Sequence, residues 1–216
     1  MKKLAFGFFG THYSPNYLHW SGRYKFVDFR NSIFNYKKFL FDYFYKEFKQ
    51  IDIFLSSFES ELQENLLSTY KPKAYSFYKI FKNAPKYYPK NFITINLLNL
   101  IKNFSKENNI VYDNLLLTRF DLQFLINFDN MKNKIDYTKF NNISVLEHNA
   151  IICDNFYLMP FNYINDFLLI FEQNKTTNPH YFKNFFVEKF KQINYLHNEY
   201  KGIAYLSSYD IVENWL

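Results

Sequence analysis

The chain has 216 residues, one cysteine and a net charge of +6 from 26 Lys and Arg against 20 Asp and Glu. That length fits a single domain, here taken as residues 1–216. A hydrophobic share of 48% excludes an intrinsically disordered chain. A lone Cys153 excludes a disulfide framework or a thiolate metal cluster within the chain, which fits a reducing, cytoplasmic compartment. The basic residues are dispersed, with no run of four, so the charge reads as a solvated Lys-rich surface and nucleic acid is not an expected partner. The 28 Phe and 20 Tyr accompany abundant Lys, Asn and Ile, the mark of AT-rich coding, and are not read as a stacking surface.

In chain order, residues 4–9 form a short apolar run closed by Gly10, the pattern of a buried strand rather than of a leader peptide. Residues 11–25 are polar and read as a loop. Over 31–50, apolar residues at spacings of three and four predict an amphipathic helix. Residues 51–55 predict a second strand, 61–70 a helix stopped by Pro72, and 74–78 a third strand. Residues 79–90, with Pro85 and Pro89, read as a loop, followed by a helix over 92–108 and a fourth strand over 114–118. Further on, 143–147 and 150–153 look strand-like, 160–172 and 180–196 helical, and 202–206 is a last apolar stretch. No run approaches the ~18 apolar residues of a membrane span.

Strands alternate with helices through the first 120 residues. That order implies an α/β fold with a central, mainly parallel sheet and helices on both faces. In such open sheets ligands bind beyond the carboxyl ends of the strands. The informative loops therefore follow the strands ending near Phe9, Leu55, Tyr78 and Thr118.

Scarce residues point to the same edge. In a Lys-rich chain only three arginines occur, Arg23, Arg30 and Arg119, and only four glycines, Gly7, Gly10, Gly22 and Gly202. Arginine grips phosphate with a planar fork that lysine cannot copy. Each arginine has a second reading, as the partner of a structural carboxylate, and Arg30 in Asp28-Phe29-Arg30 fits it well. Gly10 and Gly22 bracket a segment with Thr11, His12, Tyr13, Tyr17, His19 and Trp20. That segment either contacts a nucleotide and its diphosphate or covers the sheet end. Neither GxGxxG nor GxxxxGK[ST] is present.

The sharpest local motif is Thr118-Arg119-Phe120-Asp121, where a buried strand delivers a carboxylate to its carboxyl end. Side chains alternate along a strand, so Arg119 and Asp121 share a face, opposite Phe120. The combination of the first strand, Gly22-Arg23, Ile51-Asp52-Ile53-Phe54, Tyr70-Lys71-Pro72-Lys73, Leu117-Thr118-Arg119-Phe120-Asp121-Leu122 and Asp154-Asn155-Phe156-Tyr157 resembles small GT-A-type glycosyltransferases of large DNA viruses, chlorella viruses among them, and of bacterial capsule loci. The resemblance covers roughly residues 1–175.

The resemblance implies transfer of a sugar from a UDP- or GDP-linked donor to a glycan, glycoprotein or other hydroxyl acceptor, assisted by Mn²⁺ or Mg²⁺. It places donor contacts at Gly10, Thr11, His12, Tyr13, Gly22, Arg23 and Arg119, and the metal on Asp121. Arg119 stands where an Asp-x-Asp motif carries its first acid. Asp154 is the preferred catalytic base, ahead of Glu147 and His148. His180 and His197 are either late metal ligands or ordinary helix histidines. On this reading Asp121→Asn removes activity and leaves folding unchanged. The competing readings are a basic nucleic-acid-binding module, an inactive α/β interaction domain and a different α/β transferase such as a nucleotidyltransferase.

Overall fold

A computed structural model describes residues 2–18, 24–79, 89–125, 128–132, 134–143, 154–191, 193–197 and 205–207. The first strand, β1 (Lys3–Gly10), lies mid-sheet and is buried over nearly its whole length. A run of six apolar or small residues with no polar alternation has nowhere else to go. β2 (Tyr13–Leu18) and β3 (Tyr24–Asp28) follow as an antiparallel ribbon, where the polar sequence predicts a loop. The ladder shifts register between Ser14 and Tyr17, and that irregularity accommodates Pro15, which has no N–H to donate.

The helix expected over 31–50 runs without a gap from Arg30 to Glu47 as α1 (Arg30–Tyr36), a π-helical turn (Lys37–Phe41) and α2 (Asp42–Glu47), and Gln50 already opens the next strand. Next come β4 (Gln50–Phe58), α3 (Gln63–Tyr70) and β5 (Ala74–Tyr78). They are followed by α4 (Pro89–Glu107), β6 (Asn114–Arg119) and the short β7 (Leu122–Phe124). The remainder is β8 (Phe140–Ile143), β9 (Phe156–Pro160), α5 (Ile164–Gln173), α6 (Lys183–Phe190), β10 (Ile193–His197) and β11 (Tyr205–Ser207).

Among the described residues, seven strands form one sheet in the order β10-β8-β9-β6-β1-β4-β5. The β1–β4, β4–β5, β1–β6 and β8–β10 pairs are parallel, and only β9 runs against its two neighbours. The expected α/β class with a mainly parallel sheet is therefore the observed one. Residues 156–160, assigned no strand from the sequence, supply the antiparallel β9. Residues 193–196, read as helix, belong to the strand β10 (Ile193–His197), because the backbone at Lys191 turns to φ 60° and ends α6. Of the strands predicted over 143–147 and 150–153, Ile143 ends β8 and residues 144–153 lie outside the described residues.

Side chains alternate across β1. Leu4, Phe6 and Phe8 join Tyr36, Leu40, Phe44, Leu66 and Tyr70 in a core beneath α1 to α3. Ala5 and Phe9 join Leu97, Ile101, Phe167 and Phe186 in a second core beneath α4 to α6. Gly7 sits on this second face with α4 pressed against it: a β-carbon there would stand 2.6 Å from Leu117 and 2.8 Å from Leu97. β1 joins the next strand on one side, β4, and the later β6 on the other. That reversal is the topological switch point, where open α/β sheets leave a crevice at their carboxyl ends.

Candidate functional site

At the switch point the chain assembles a polar cluster from three separate elements. β6 brings Arg119, and the turn after it brings Asp121. The first turn of α4 brings Lys90, and the segment entering β9 brings Asp154 and Asn155. Gly10 ends β1 beside them with φ +105°, a conformation that glycine adopts without strain, and a β-carbon placed on it would lie 3.8 Å from Arg119 Cγ.

Arg119 grips Asp121 with two prongs: Nε donates to Oδ1 at 2.8 Å and Nη2 donates to Oδ2. Its third nitrogen, Nη1, reaches Asn155 Oδ1 at 3.3 Å. The same oxygen accepts from Lys90 Nζ at 2.8 Å, and Lys90 also ion-pairs with Asp154. Thr118 Oγ1 donates to the Asn155 carbonyl at 3.0 Å, which ties the segment to β6. Phe120, between the two motif residues, is fully buried and stacks on Phe8.

The order of exposure is informative. Side-chain exposure is 18% for Arg119 and 2% for Asp121, and 16% for Lys90 and 6% for Asp154. The carboxylates are thus more deeply buried than the cations that hold them.

The turn carrying Asp121 is held by Tyr36, the last residue of α1. Its hydroxyl donates to the Arg119 carbonyl at 2.5 Å and accepts from the Leu122 N–H at 3.0 Å. The π-helical turn begins at the next residue, and such bulges re-aim helices at functional places. Tyr36→Phe deletes both bonds and leaves a buried donor and acceptor without that partner. We expect a loss of about 2 kcal/mol in stability, measurable as a lower urea midpoint; an unchanged midpoint would show that the turn holds itself.

The other sequence-assigned residues sit as follows. Thr11 is half-buried, and His12 is fully buried beneath it. His12 Nδ1 contacts Ser57 Oγ at 2.6 Å and Nε2 contacts Ser60 Oγ at 2.7 Å. Burial pushes its pKa down to about 4, against a smaller opposing pull from Asp28. Tyr13 begins the ribbon, and a hydrogen bond with Glu61 raises its phenol above the ordinary value. Arg30 forks onto Asp28, with Nε at 2.9 and 3.0 Å from the two carboxylate oxygens, so its structural reading is the one realised. Gly22, Arg23, Glu147 and His148 lie outside the described residues, as do the side chains of His180 and His197. Lys90, Asn155 and Tyr36 received no role from the sequence.

The carboxylates do not fit a divalent cation as they stand. Both Asp121 oxygens are engaged by Arg119 and Asp154 is engaged by Lys90. No group of three or more His, Cys, Asp or Glu placed to hold a metal occurs among the described residues. Among the same residues no helix is long and apolar enough to cross a membrane.

No known protein family profile matches the chain, and no curated protein sequence matches it. Solved structures similar to it include a provisionally assigned nucleotide-diphospho-sugar transferase from Desulfovibrio desulfuricans G20, at 10% identity and a TM-score of 0.46, covering 92% of this chain and 81% of the other. A cytidylyltransferase from Leptospira borgpetersenii is 14% identical with a TM-score of 0.45, covering 90% and 74%. A glycosyltransferase involved in the glycosylation of the major capsid of PBCV-1 is 10% identical with a TM-score of 0.43, covering 93% and 83%.

Proposed function

We propose that the chain transfers a sugar from a UDP- or GDP-linked donor to a hydroxyl of a glycan or glycoprotein acceptor. One observation supports this most: Arg119 and Lys90 converge on a single Asn155 oxygen at the switch point of the sheet, where an anionic diphosphate meets cations first.

In the reaction, the bond between the sugar's anomeric carbon and the diphosphate oxygen breaks, and the electron pair leaves with the nucleoside diphosphate. The acceptor oxygen forms the new bond to the anomeric carbon and gives up its proton. Asp154 takes that proton in this reading, once Lys90 has shifted from it onto the phosphate. Fixed positive charge beside the leaving group lowers the barrier because it needs no reorganisation as negative charge develops. Gly10 gives the diphosphate close access to the backbone at the end of β1. Asp121 and Asp154 are already engaged by Arg119 and Lys90, so in this reading the side-chain cations carry the leaving-group charge.

The test is a panel of nucleotide sugars read by thermal shift and by donor turnover, with and without Mn²⁺. At least one UDP- or GDP-sugar is expected to raise the melting temperature and to be consumed when acceptor glycans are supplied. A panel without any shift, alongside salt-sensitive retention on DNA, would replace this reading with the nucleic-acid-binding one.

A further inference from the structure

We propose that the site holds the donor's diphosphate on a protein-borne cation pair, Arg119 and Lys90, in place of a divalent metal bridge. Asp121 then serves as the anchor that aims Arg119, and Asp154 holds Lys90 until the diphosphate takes its place. This inference rests on the nucleotide-sugar reading above and specifies how that site recognises its ligand.

Three observations carry it. The first is the order of burial. A metal site presents carboxylate oxygens to the opening and keeps any cations behind them. Here the order is reversed at both pairs, with Arg119 and Lys90 several-fold more exposed than Asp121 and Asp154. A ligand entering the crevice meets positive charge first.

The second is the completeness of the Asp121 pairing. A two-pronged fork on both oxygens satisfies the carboxylate in the plane where a metal would bind. Recruiting Asp121 to a cation means breaking a pair that is almost wholly buried, which is strongly unfavourable unless Arg119 finds an equal partner.

The third is the bridge. Lys90 Nζ and Arg119 Nη1 lie 2.8 Å and 3.3 Å from one oxygen, so their separation cannot exceed the sum of those distances. The oxygens of a diphosphate span such a gap. Asn155, fixed to β6 through Thr118, sets that spacing. Lys90 also stands in the first turn of a 19-residue helix. An anion placed there gains from the helix dipole as well as from the ammonium group.

The roles divide accordingly. Arg119 stays on Asp121 and meets one phosphate through Nη1, the nitrogen that reaches Asn155. Lys90 exchanges Asp154 for the other phosphate. The positive charges that the resemblance assigns to Mn²⁺ or Mg²⁺ come from side chains, which explains why the first acid of the expected motif is an arginine in this chain.

Binding of UDP, GDP and inorganic pyrophosphate should be measured by titration calorimetry in EDTA and in Mn²⁺, with wild type, Lys90→Gln and Arg119→Lys. The expected result is nucleotide binding by wild type that differs less than twofold between EDTA and Mn²⁺. Lys90→Gln should weaken it on the order of tenfold, as for the loss of one charged hydrogen bond. Arg119→Lys keeps the charge, loses the fork and should weaken it in both media. Lys90→Gln changes a part-exposed residue, and its melting curve shows whether it is folded. Wild-type binding that requires Mn²⁺ would overturn the proposal and leave the nucleotide-sugar reading standing. Metal-independent binding unaffected by Lys90→Gln would overturn the assignment of the cation pair. Absence of nucleotide binding in both media would remove the nucleotide-sugar reading and this proposal together.

Discussion

Asp121→Asn is expected to unfold at markedly lower denaturant, with a loss of about 3 kcal/mol in stability. The sequence alone predicts the opposite, since an isosteric change at a metal ligand leaves folding unaffected. The structure changes that expectation because Asp121 is 1% exposed and closes a two-pronged pair with Arg119. The neutral amide cannot balance the guanidinium, and its amino group faces the donor edge of the fork. Arg119 is itself part-exposed, so water recovers some of the loss, and the expected cost sits at the low end for a broken buried pair. A double-mutant cycle with Arg119→Gln isolates the pairing term, because two residues in contact fail to be additive by the energy that they share. Equal denaturation midpoints for wild type and Asp121→Asn would show that the pair contributes nothing and would return the carboxylate to the role of a ligand group.

The central parallel strands were legible because they are buried on both faces and read as unbroken apolar runs. Leu115, Leu116 and Leu117 and the run from Leu4 to Phe9 have that form, and β5 was placed at its observed bounds. The antiparallel β9 has the same composition, Phe-Tyr-Leu-Met-Pro, yet it leads into a helix through Pro160, and nothing local separates such a strand from the approach to a helix. β10 failed for a related reason. Ile193 and Leu196 continue the spacing of Phe186 and Phe190, and only the backbone reversal at Lys191 separates strand from helix.

The site divides the same way. Arg119, Asp121, Asp154 and Gly10 stood out by scarcity or by motif, and the fold brings them to one edge. Lys90 is one lysine among many, and its role comes from contact across the sheet with Asp154 and Asn155, 64 and 65 positions later in the chain. No local pattern encodes that contact. Tyr36 is hidden for a different reason: a π-helical turn changes the phase of the helix directly after it, and helical periodicity assumes that no such turn exists.

Acidification is expected to remove about 2.5 kcal/mol of stability through His12 alone between pH 7 and pH 4.5. The ring is fully buried, with Phe29, Phe77 and Phe120 centred 6.0, 5.7 and 5.9 Å from it. Its hydrogen bonds favour the neutral form. Ser57 Oγ donates to the Gly10 carbonyl at 2.7 Å, so it accepts from Nδ1–H at 2.6 Å. Ser60 Oγ accepts from the Leu62 N–H at 3.1 Å and gives its own proton to Nε2 at 2.7 Å. Burial holds the native pKa down to about 4, although the nearby Asp28 carboxylate pulls the other way. An unfolded histidine titrates near 6.5. Between those values the unfolded chain binds a proton that the native chain refuses. The stabilisation is therefore complete above about pH 6.5, falls as the pH drops toward 4, and is flat below that. Other groups can also change protonation over this range, so the histidine must be isolated by difference. His12→Gln keeps a donor and an acceptor and cannot titrate. Urea unfolding of both proteins at pH 7 and pH 4.5 should show wild type losing about 2.5 kcal/mol more than the variant. Equal losses would mean that His12 takes up its proton in the folded chain, and the hydrogen-bonded chain from Ser60 to Gly10 would not be what fixes the end of β1 beside Arg119.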